Sequence, residues 1–264
     1  MQMLTIITQM TYGIIGVGAI GTAIATGLCE GVKDAPRIVV SPRNADRAAQ
    51  LAARFSTVRI ARSNQDVVDG SSVVLLCIRP QDARAVVPTL KFSPEQAIVS
   101  MMAGIPIETL QKLVAPARSI ARAIPLPAVA AREGATPIFP PTEAARTLFD
   151  RLGGAIETPD ELAFDATSAS TATVSAHFAY LNAICQWLIA HGVTETAARR
   201  QVAATFAGLA AQLHREAPDF GEAARDHATR GGTNEQFLGV LEHAGVFEAV
   251  DSGLNQILDR LTKR

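Results

Sequence analysis

The chain has 264 residues, of which 48% are hydrophobic and 19% charged, and its formal net charge is -1. This length suits one large or two moderate domains with a substantial core. The small net charge argues against nucleic-acid binding through a broad basic surface. Cys29, Cys77 and Cys185 are scattered, and the five histidines lack ligand spacing. We therefore predict no metal site, and buried thiols in the reducing cytoplasm.

Two stretches bear on targeting and membranes. The first residues lack a basic region and a cleavage site, which predicts no signal peptide, and we interpret residues 1–9 as an extension. Residues 166–194 contain no Asp, Glu, Lys or Arg. Polar residues such as His177 and Asn182 interrupt this stretch, so we interpret it as a buried helix, placed at a subunit interface, rather than a membrane span.

A glycine motif near the start organises the rest. An apolar run precedes Gly16-Val17-Gly18-Ala19-Ile20-Gly21, and an alanine-rich helical segment follows it through Leu28. Glycines in this spacing let the backbone turn tightly and approach a pyrophosphate at the helix N-terminus. The pattern predicts a dinucleotide-binding turn.

Up to about residue 157, short β-type runs alternate with helical patterns, which predicts a mostly parallel sheet covered by helices. Candidate strands are 12–16, 37–40, 57–60, 72–78, 97–100, 119–123, 135–138 and 155–157. The run 72–78 is continuously apolar, which places it near the sheet centre. After Pro159 only helical periodicity remains. We predict an α/β Rossmann-type domain at 10–158 and an all-α domain at 159–264.

The turn after the second strand indicates which dinucleotide binds. It reads Ser41-Pro42-Arg43-Asn44. An arginine among hydroxyl and amide neighbours suits the 2′-phosphate of NADP, which a guanidinium binds as a planar fork. The alternative is that Arg43 is a solvated loop charge and Asp46 serves NAD.

Two further strand ends are predicted to face the cofactor, because open α/β sheets bind ligands at the carboxyl ends of their strands. One is Ile78-Arg79-Pro80, where the alternative is a solvent-facing arginine before a helix. The other contains Ala103 and Gly104, whose small size allows a nicotinamide ring to approach, or simply a tight turn.

A second constellation lies in the helical half. Gly231-Gly232 breaks one helix, and Thr233 with Gln236 forms a pattern typical of a capping box that begins the next. A helix N-terminus behind a glycine turn suits a carboxylate, with side-chain donors from Thr229, Arg230, Thr233 and Asn234. The alternative is an ordinary helix joint with a good cap.

In this order, the motifs resemble those of the pyrroline-5-carboxylate reductase family, from Thr11 to the C-terminus. The resemblance also rests on Ser100-Met101-Met102-Ala103-Gly104-Ile105 and on Gly245-Val246-Phe247. It implies an NAD(P)H-dependent reduction of a cyclic imine to a cyclic amino acid, as in proline biosynthesis, and a helical domain that joins two subunits in a homodimer or larger homo-oligomer. It further implies that Thr229 and the N–H groups of Gly232 and Thr233 hold the substrate carboxylate, while Asn234 or Thr233 orients the imine nitrogen.

The chain also departs from the family pattern. Ile124-Pro125-Leu126 stands where the family has Met-Pro-Asn, and Arg230 and Asn234 replace a proline and a hydroxyl residue of the glycine loop. A related imine or a carbonyl compound is therefore an alternative substrate. Two other functions remain open, namely an NADP-dependent β-hydroxyacid-type dehydrogenase and a catalytically silent NADP-binding protein. His177 and Tyr180 are candidate proton relays, with core packing as the alternative.

Overall fold

The computed structural model describes residues 10–216 and 219–263 of the chain. Within them, an eight-stranded sheet has the order β3-β2-β1-β4-β5-β6-β7-β8. The strands are β1 Thr11–Ile15, β2 Arg37–Val40, β3 Val58–Ile60, β4 Val73–Leu76, β5 Ala97–Ser100, β6 Ser119–Ala123, β7 Thr136–Phe139 and β8 Ala155–Glu157. Every predicted strand is present, and the fully buried β4 lies centrally, as predicted.

Helices connect the strands of this sheet. They are α1 Ala19–Cys29, α2 Ala45–Arg54, α3 Asn64–Asp69, α4 Pro80–Val86, α5 Ile107–Leu113 and α6 Glu143–Asp150. Two buried apolar clusters are built on alternating residues of the strands, so that neighbours such as Leu75 and Leu76 belong to different clusters. This division follows from the two-residue side-chain period of a strand. The sheet is therefore covered on both faces, as parallel sheets require.

One pairing departs from a fully parallel sheet. Strand β7 runs antiparallel to β6, whereas β8 again runs parallel to β7. Between β6 and β7 lies only a short 3₁₀ helix, Pro127–Ala131. A parallel crossover usually contains a full α-helix, and the connection at residues 124–135 contains none, which favours a reversal of direction. The mostly parallel Rossmann-type sheet is confirmed.

The remaining elements are helices, as predicted for the second half. They are α7 Glu161–Ser170, α8 Thr173–Ala190, α9 Glu195–Glu216, α10 Phe220–His227, α11 Thr233–His243 and α12 Val246–Thr262. Cys185 and Val202 form a small core between α8 and α9 with neighbours such as Leu188 and Phe206. No helix among the described residues is long and apolar enough to cross a membrane.

The chain divides into two compact units. One extends to Ser168 and includes the end of the chain from Leu258, and the other spans Ala169–Ile257. We call them the nucleotide unit and the helical unit. The predicted domain limits, 10–158 and 159–264, stay a prediction.

The burial of helix α8 at a subunit interface stays a prediction. Within the single chain only Cys185 of this helix is buried, while Phe178 and Trp187 are 65% and 60% exposed.

Candidate active site

The turn between β1 and α1 has the geometry that a dinucleotide-binding turn needs. Gly16 has a φ of +101°, and a Cβ there would lie 2.6 Å from the carbonyl oxygen of Cys77. A Cβ on Gly21 would collide with the carbonyl oxygen of Gly16, whereas one on Gly18 would meet nothing within 4 Å. Gly16 and Gly21 therefore permit close packing, and Gly18 leaves the helix start open to a ligand. These residues fit a nicotinamide dinucleotide.

The turn after β2 braces the glycine turn. Ser41 is buried, and its Oγ accepts a hydrogen bond of 3.0 Å from the N–H of Gly16. Asn44 Nδ2 donates to the carbonyl oxygen of Val17 at 3.2 Å. Two polar side chains that the sequence predicts to bind the cofactor thus also hold the turn in shape.

A cleft of about 510 Å³ adjoins both turns. Its wall consists of Gly16, Val17, Gly18, Arg43, Asn44, Ala45, Asp46, Cys77, Ile78, Arg79 and Asp82. Among the predicted cofactor residues, the described structure places Ala19, Ile20, Gly21, Ser41, Pro80, Ala103 and Gly104 outside this wall. The cleft nevertheless joins three separate predicted segments, at 16–18, 43–44 and 78–79.

Cys77 contributes a neutral thiol to the cleft wall. Burial raises its pKa to about 12, and its Sγ lies 3.8 Å from Sδ of Met101. The thiol therefore stays protonated near neutral pH, which makes it a poor nucleophile.

Asp82 is a cleft residue that the motifs do not include. Its Oδ2 accepts a hydrogen bond from Nε of Arg79 at 3.2 Å and lies 3.6 Å from Nη1 of Arg43. The three-residue spacing of Arg79 and Asp82 was visible in the sequence. The ion pair of Asp82 with Arg43 was not visible in the sequence, because the two residues are 39 positions apart and follow different strands, β4 and β2.

Another charged group of the nucleotide unit escaped the sequence analysis. Arg122 of β6 is 1% exposed, and it forms ion pairs of 2.7 Å with Glu161 and 2.8 Å with Asp165. Its guanidinium carbon lies 4.4 Å from the ring centroid of Phe164, and Glu161 also accepts the N–H of Ile107. A lone arginine in an apolar strand signals such a buried pair, because an unpaired buried charge is costly. The cluster anchors α7 to the carboxyl half of β6.

The predicted substrate loop lies in the helical unit, between α10 and α11. Helix α11 begins at Thr233, and its N-cap is Gly232, with no side-chain capping bond. The predicted capping box of Thr233 and Gln236 is therefore wrong, because Thr233 already has helical geometry. Glu235 takes the role instead, since its Oε2 accepts from the N–H of Gly231 at 2.6 Å.

Several groups of this loop are already engaged within it. The N–H of Gly232 donates to the carbonyl oxygen of Thr229 at 2.7 Å. Asn234 Nδ2 donates to the carbonyl oxygen of His227 at 3.1 Å, and both residues line a groove of about 530 Å³ with Leu209 and Leu213. The helical unit thus places Asn234 beside an apolar groove.

The two candidate relays are aromatic packing residues. Within the helical unit, the ring of His177 packs edge-on against the rings of Phe178 and Phe206, with ring centroids 5.8 and 6.1 Å apart. Tyr180 contacts Phe206 at 5.9 Å and is 39% exposed. Their proton-relay role stays a prediction.

The helical unit leaves much apolar surface exposed. Phe178, Trp187, Phe220, Phe237 and Val250 are 48–74% exposed. A second groove, of about 510 Å³, is lined by residues of α8 and α12 that include Ala176, Val246 and Val250. Exposed apolar patches of this kind mark interaction surfaces.

Comparison with known proteins agrees with this architecture. Residues 11–104 match the family model described as NADP oxidoreductase coenzyme F420-dependent, and residues 161–263 match that of pyrroline-5-carboxylate reductase dimerisation. Pyrroline-5-carboxylate reductase of Mycobacterium leprae is 30% identical over 215 residues, covering 76% of this chain and 72% of that protein.

Solved structures share the fold. The 1-pyrroline-5-carboxylate reductase of Streptococcus pyogenes has a TM-score of 0.83 at 24% identity, covering 97% of this chain and 100% of that one. A pyrroline carboxylate reductase of Plasmodium falciparum with NADP bound has a TM-score of 0.81 at 16% identity, covering 96% and 97%.

The glycine turn, the cleft at the strand ends and the matching models together define an NAD(P)H-dependent oxidoreductase. More narrowly, the chain belongs to the pyrroline-5-carboxylate reductase family, which acts on CH–NH groups. The family resemblance drawn from the sequence is confirmed.

Proposed function

We propose that the protein uses NADPH to reduce the C=N bond of a small cyclic imine that bears a carboxylate, similar to pyrroline-5-carboxylate. The observation that carries this proposal is the arginine pair of the cleft. Arg43 and Arg79 stand at its wall beside the open glycine turn. Guanidinium groups suit a phosphate, and the 2′-phosphate is what distinguishes NADPH from NADH. NADP in the related Plasmodium falciparum structure supports the same choice.

The reaction needs mainly positioning from the protein, because the bound nicotinamide supplies the hydride. Gly18 would leave room for the pyrophosphate at the start of α1, and Arg43 and Asn44 of the cleft wall would lie beside the adenosine 2′-phosphate. The neutral thiol of Cys77 adds no charge there.

The loop at residues 229–234 would hold the substrate carboxylate, and Arg230 would attract it. Binding exchanges internal bonds for substrate bonds, because Gly232 now donates to Thr229 and Gly231 to Glu235. Thr229 and the N–H groups of Gly232 and Thr233 are the proposed donors.

Asn234 is the proposed partner of the imine nitrogen. Its Nδ2 already donates to the carbonyl oxygen of His227, so its amide oxygen is the group suited to accept the N–H of a protonated imine. Such a bond would orient the carbon toward the hydride, and Thr233 is the alternative group.

The active protein is proposed to be a homodimer formed through the helical domain at residues 159–264. The family model of dimerisation covers this part, and the exposed aromatic side chains of α8, α10 and α11 need a cover. The nucleotide-binding domain would be residues 10–158. The scattered cysteines, none of them in a disulfide, support a cytoplasmic location.

One observation favours a second candidate, a catalytically silent NADP-binding protein. Ile124-Pro125-Leu126, Arg230 and Asn234 depart from the family pattern in segments proposed to face the substrate. The β-hydroxyacid-type dehydrogenase is less favoured, because such enzymes rely on a lysine in the inter-domain helix and residues 166–194 contain none.

A steady-state assay separates these functions. We expect NADPH oxidation with cyclic imines that carry a carboxylate, and at least a tenfold loss of NADPH affinity relative to NADH in Arg43→Ala. Arg47→Ala, on the exposed part of α2, is the control and should leave both affinities unchanged. Cofactor binding without turnover of any imine would leave the silent protein as the answer.

A further inference from the structure

The cofactor cleft holds a carboxylate that phosphate binding does not need. Asp82 Oδ2 is the shared partner of Arg79, at 3.2 Å, and Arg43, at 3.6 Å. Its side chain is 24% exposed, while those of Arg79 and Arg43 are 69% and 68% exposed. A single oxygen therefore draws together the two guanidinium groups that face the cleft.

We propose that Asp82 sets cofactor specificity: its carboxylate competes internally for the arginine pair and weakens the binding of NADPH more than that of NADH. This inference rests on the proposed use of NADPH, and it adds a residue that moderates the preference. Asp82 contacts both arginines and lines the same cleft.

The sign of the effect follows from charge. Near pH 7 a phosphate monoester carries about -1.5 to -2 charges and needs charged donors. The cleft wall carries two arginines and two carboxylates, Asp46 and Asp82, and Asp82 is the carboxylate that contacts both arginines. An incoming phosphate must share the guanidinium donors with the carboxylate and is repelled by it. NADH has only a 2′-hydroxyl where NADPH has the phosphate, so Asp82 neither repels it nor competes with it for the guanidinium donors.

An opposing effect exists but is weaker. Asp82 also orients both arginines, which helps any anion that binds them. Arginine side chains exposed by more than two thirds gain little from an ion pair, at most about fivefold in an equilibrium constant. Repulsion of a nearly dianionic group by the more buried carboxylate outweighs that gain.

The experiment measures dissociation constants of NADPH and NADH for the full chain and for Asp82→Asn, by the fluorescence of the reduced nicotinamide. The substitution keeps the shape and removes the charge. We expect about fivefold to tenfold tighter NADPH binding, and NADH binding changed by less than about twofold. NADPH binding should also depend more steeply on salt, since the cluster gains one net positive charge.

Asp66 offers a matched control. It lies in the first turn of its helix, as Asp82 does, and its side chain is 21% exposed. It pairs with Arg59 at 3.1 Å and with Arg62 at 3.9 Å. It is not part of the cleft wall. Asp66→Asn should leave both dissociation constants unchanged, which separates a local effect from a change in total charge.

The outcomes distinguish this inference from the proposed function. Weaker or unchanged NADPH binding in Asp82→Asn overturns the role of Asp82, and so does an equal gain for NADH. If the unchanged protein and Arg43→Ala both bind the two cofactors equally, the proposed use of NADPH fails. A selective loss of NADPH binding in Arg43→Ala, with no gain in Asp82→Asn, would keep the proposed use of NADPH and overturn only the role of Asp82.

Discussion

The turn at residues 16–21 and the loop at residues 229–234 are both rich in glycine and both lead into a helix, yet their backbone N–H groups differ. Around Gly18 there is open space, since a Cβ there would meet nothing within 4 Å. In the second loop, the carboxylate of Glu235 accepts a hydrogen bond from the N–H of Gly231, and the carbonyl oxygen of Thr229 accepts one from the N–H of Gly232. The first turn has open space at Gly18, whereas the proposed carboxylate would have to replace the internal bonds of Gly231 and Gly232 in the second.

The two units differ in the same way. Large side chains of the nucleotide unit, such as Tyr12 and Phe149, are fully buried on the faces of the sheet. The helical unit has a small core around Cys185 and leaves Phe178 and Trp187 exposed. The nucleotide unit buries its apolar side chains within a single chain, whereas the helical unit leaves apolar side chains that another subunit would cover. Three substitutions test this contrast, beginning with the largest expected effect.

Arg122→Met tests whether the nucleotide unit is self-sufficient. The substitution leaves the carboxylates of Glu161 and Asp165 without the guanidinium that both contact. Breaking a buried pair from one side costs about 3–5 kcal/mol. We expect that loss in the free energy of unfolding, measured by urea denaturation.

Arg118→Met is the control, since Arg118 is an exposed residue just before the same strand. It should change stability by no more than about 0.5 kcal/mol. A loss below about 1 kcal/mol in Arg122→Met would show that α7 is held by other contacts.

Val250→Glu tests whether the helical unit needs a cover. Val250 is 48% exposed and lines the groove between α8 and α12. A charge buried in an apolar interface is costly, so the dimer should dissociate about 100-fold more readily. Sedimentation velocity over a concentration series measures this change.

Ile156→Glu is the matched control, because Ile156 is 47% exposed but lies on β8 of the nucleotide unit. The assembly should be unaffected by it. Equal dissociation in both variants, or in neither, would remove the groove from the dimer interface.

Gly232→Ala tests the loop. An added Cβ would lie 2.8 Å from the carbonyl oxygen of Thr229, so the turn must shift. We expect the KM of a carboxylate-bearing imine to rise about tenfold, with NADPH affinity unchanged. Gly239→Ala is the control, since a Cβ there meets nothing within 4 Å. If KM and NADPH affinity worsened equally, the two separate sites would be wrong.

Strand positions could be predicted closely because buried strands in a parallel sheet are short apolar runs. β2, β5, β6 and β8 have their predicted limits, and the others differ by one or two residues. The reversal at β7 was missed because it depends on how a short connection packs. The capping box failed because Thr233 and Glu235 both fit a capping pattern, and only the path of the backbone selects between them.

The sequence by itself determined the nucleotide fold, the glycine turn and the family. Each rests on short motifs, and the residues of any one motif are close together in the chain. The sequence also singled out Arg43 and Arg79 as separate candidates. Only the tertiary structure decided that Asp82 joins them and that Arg122 pairs with Glu161 and Asp165. Such pairs form between side chains from distant segments of the chain. Their partners can be identified only once the fold has brought the two side chains together.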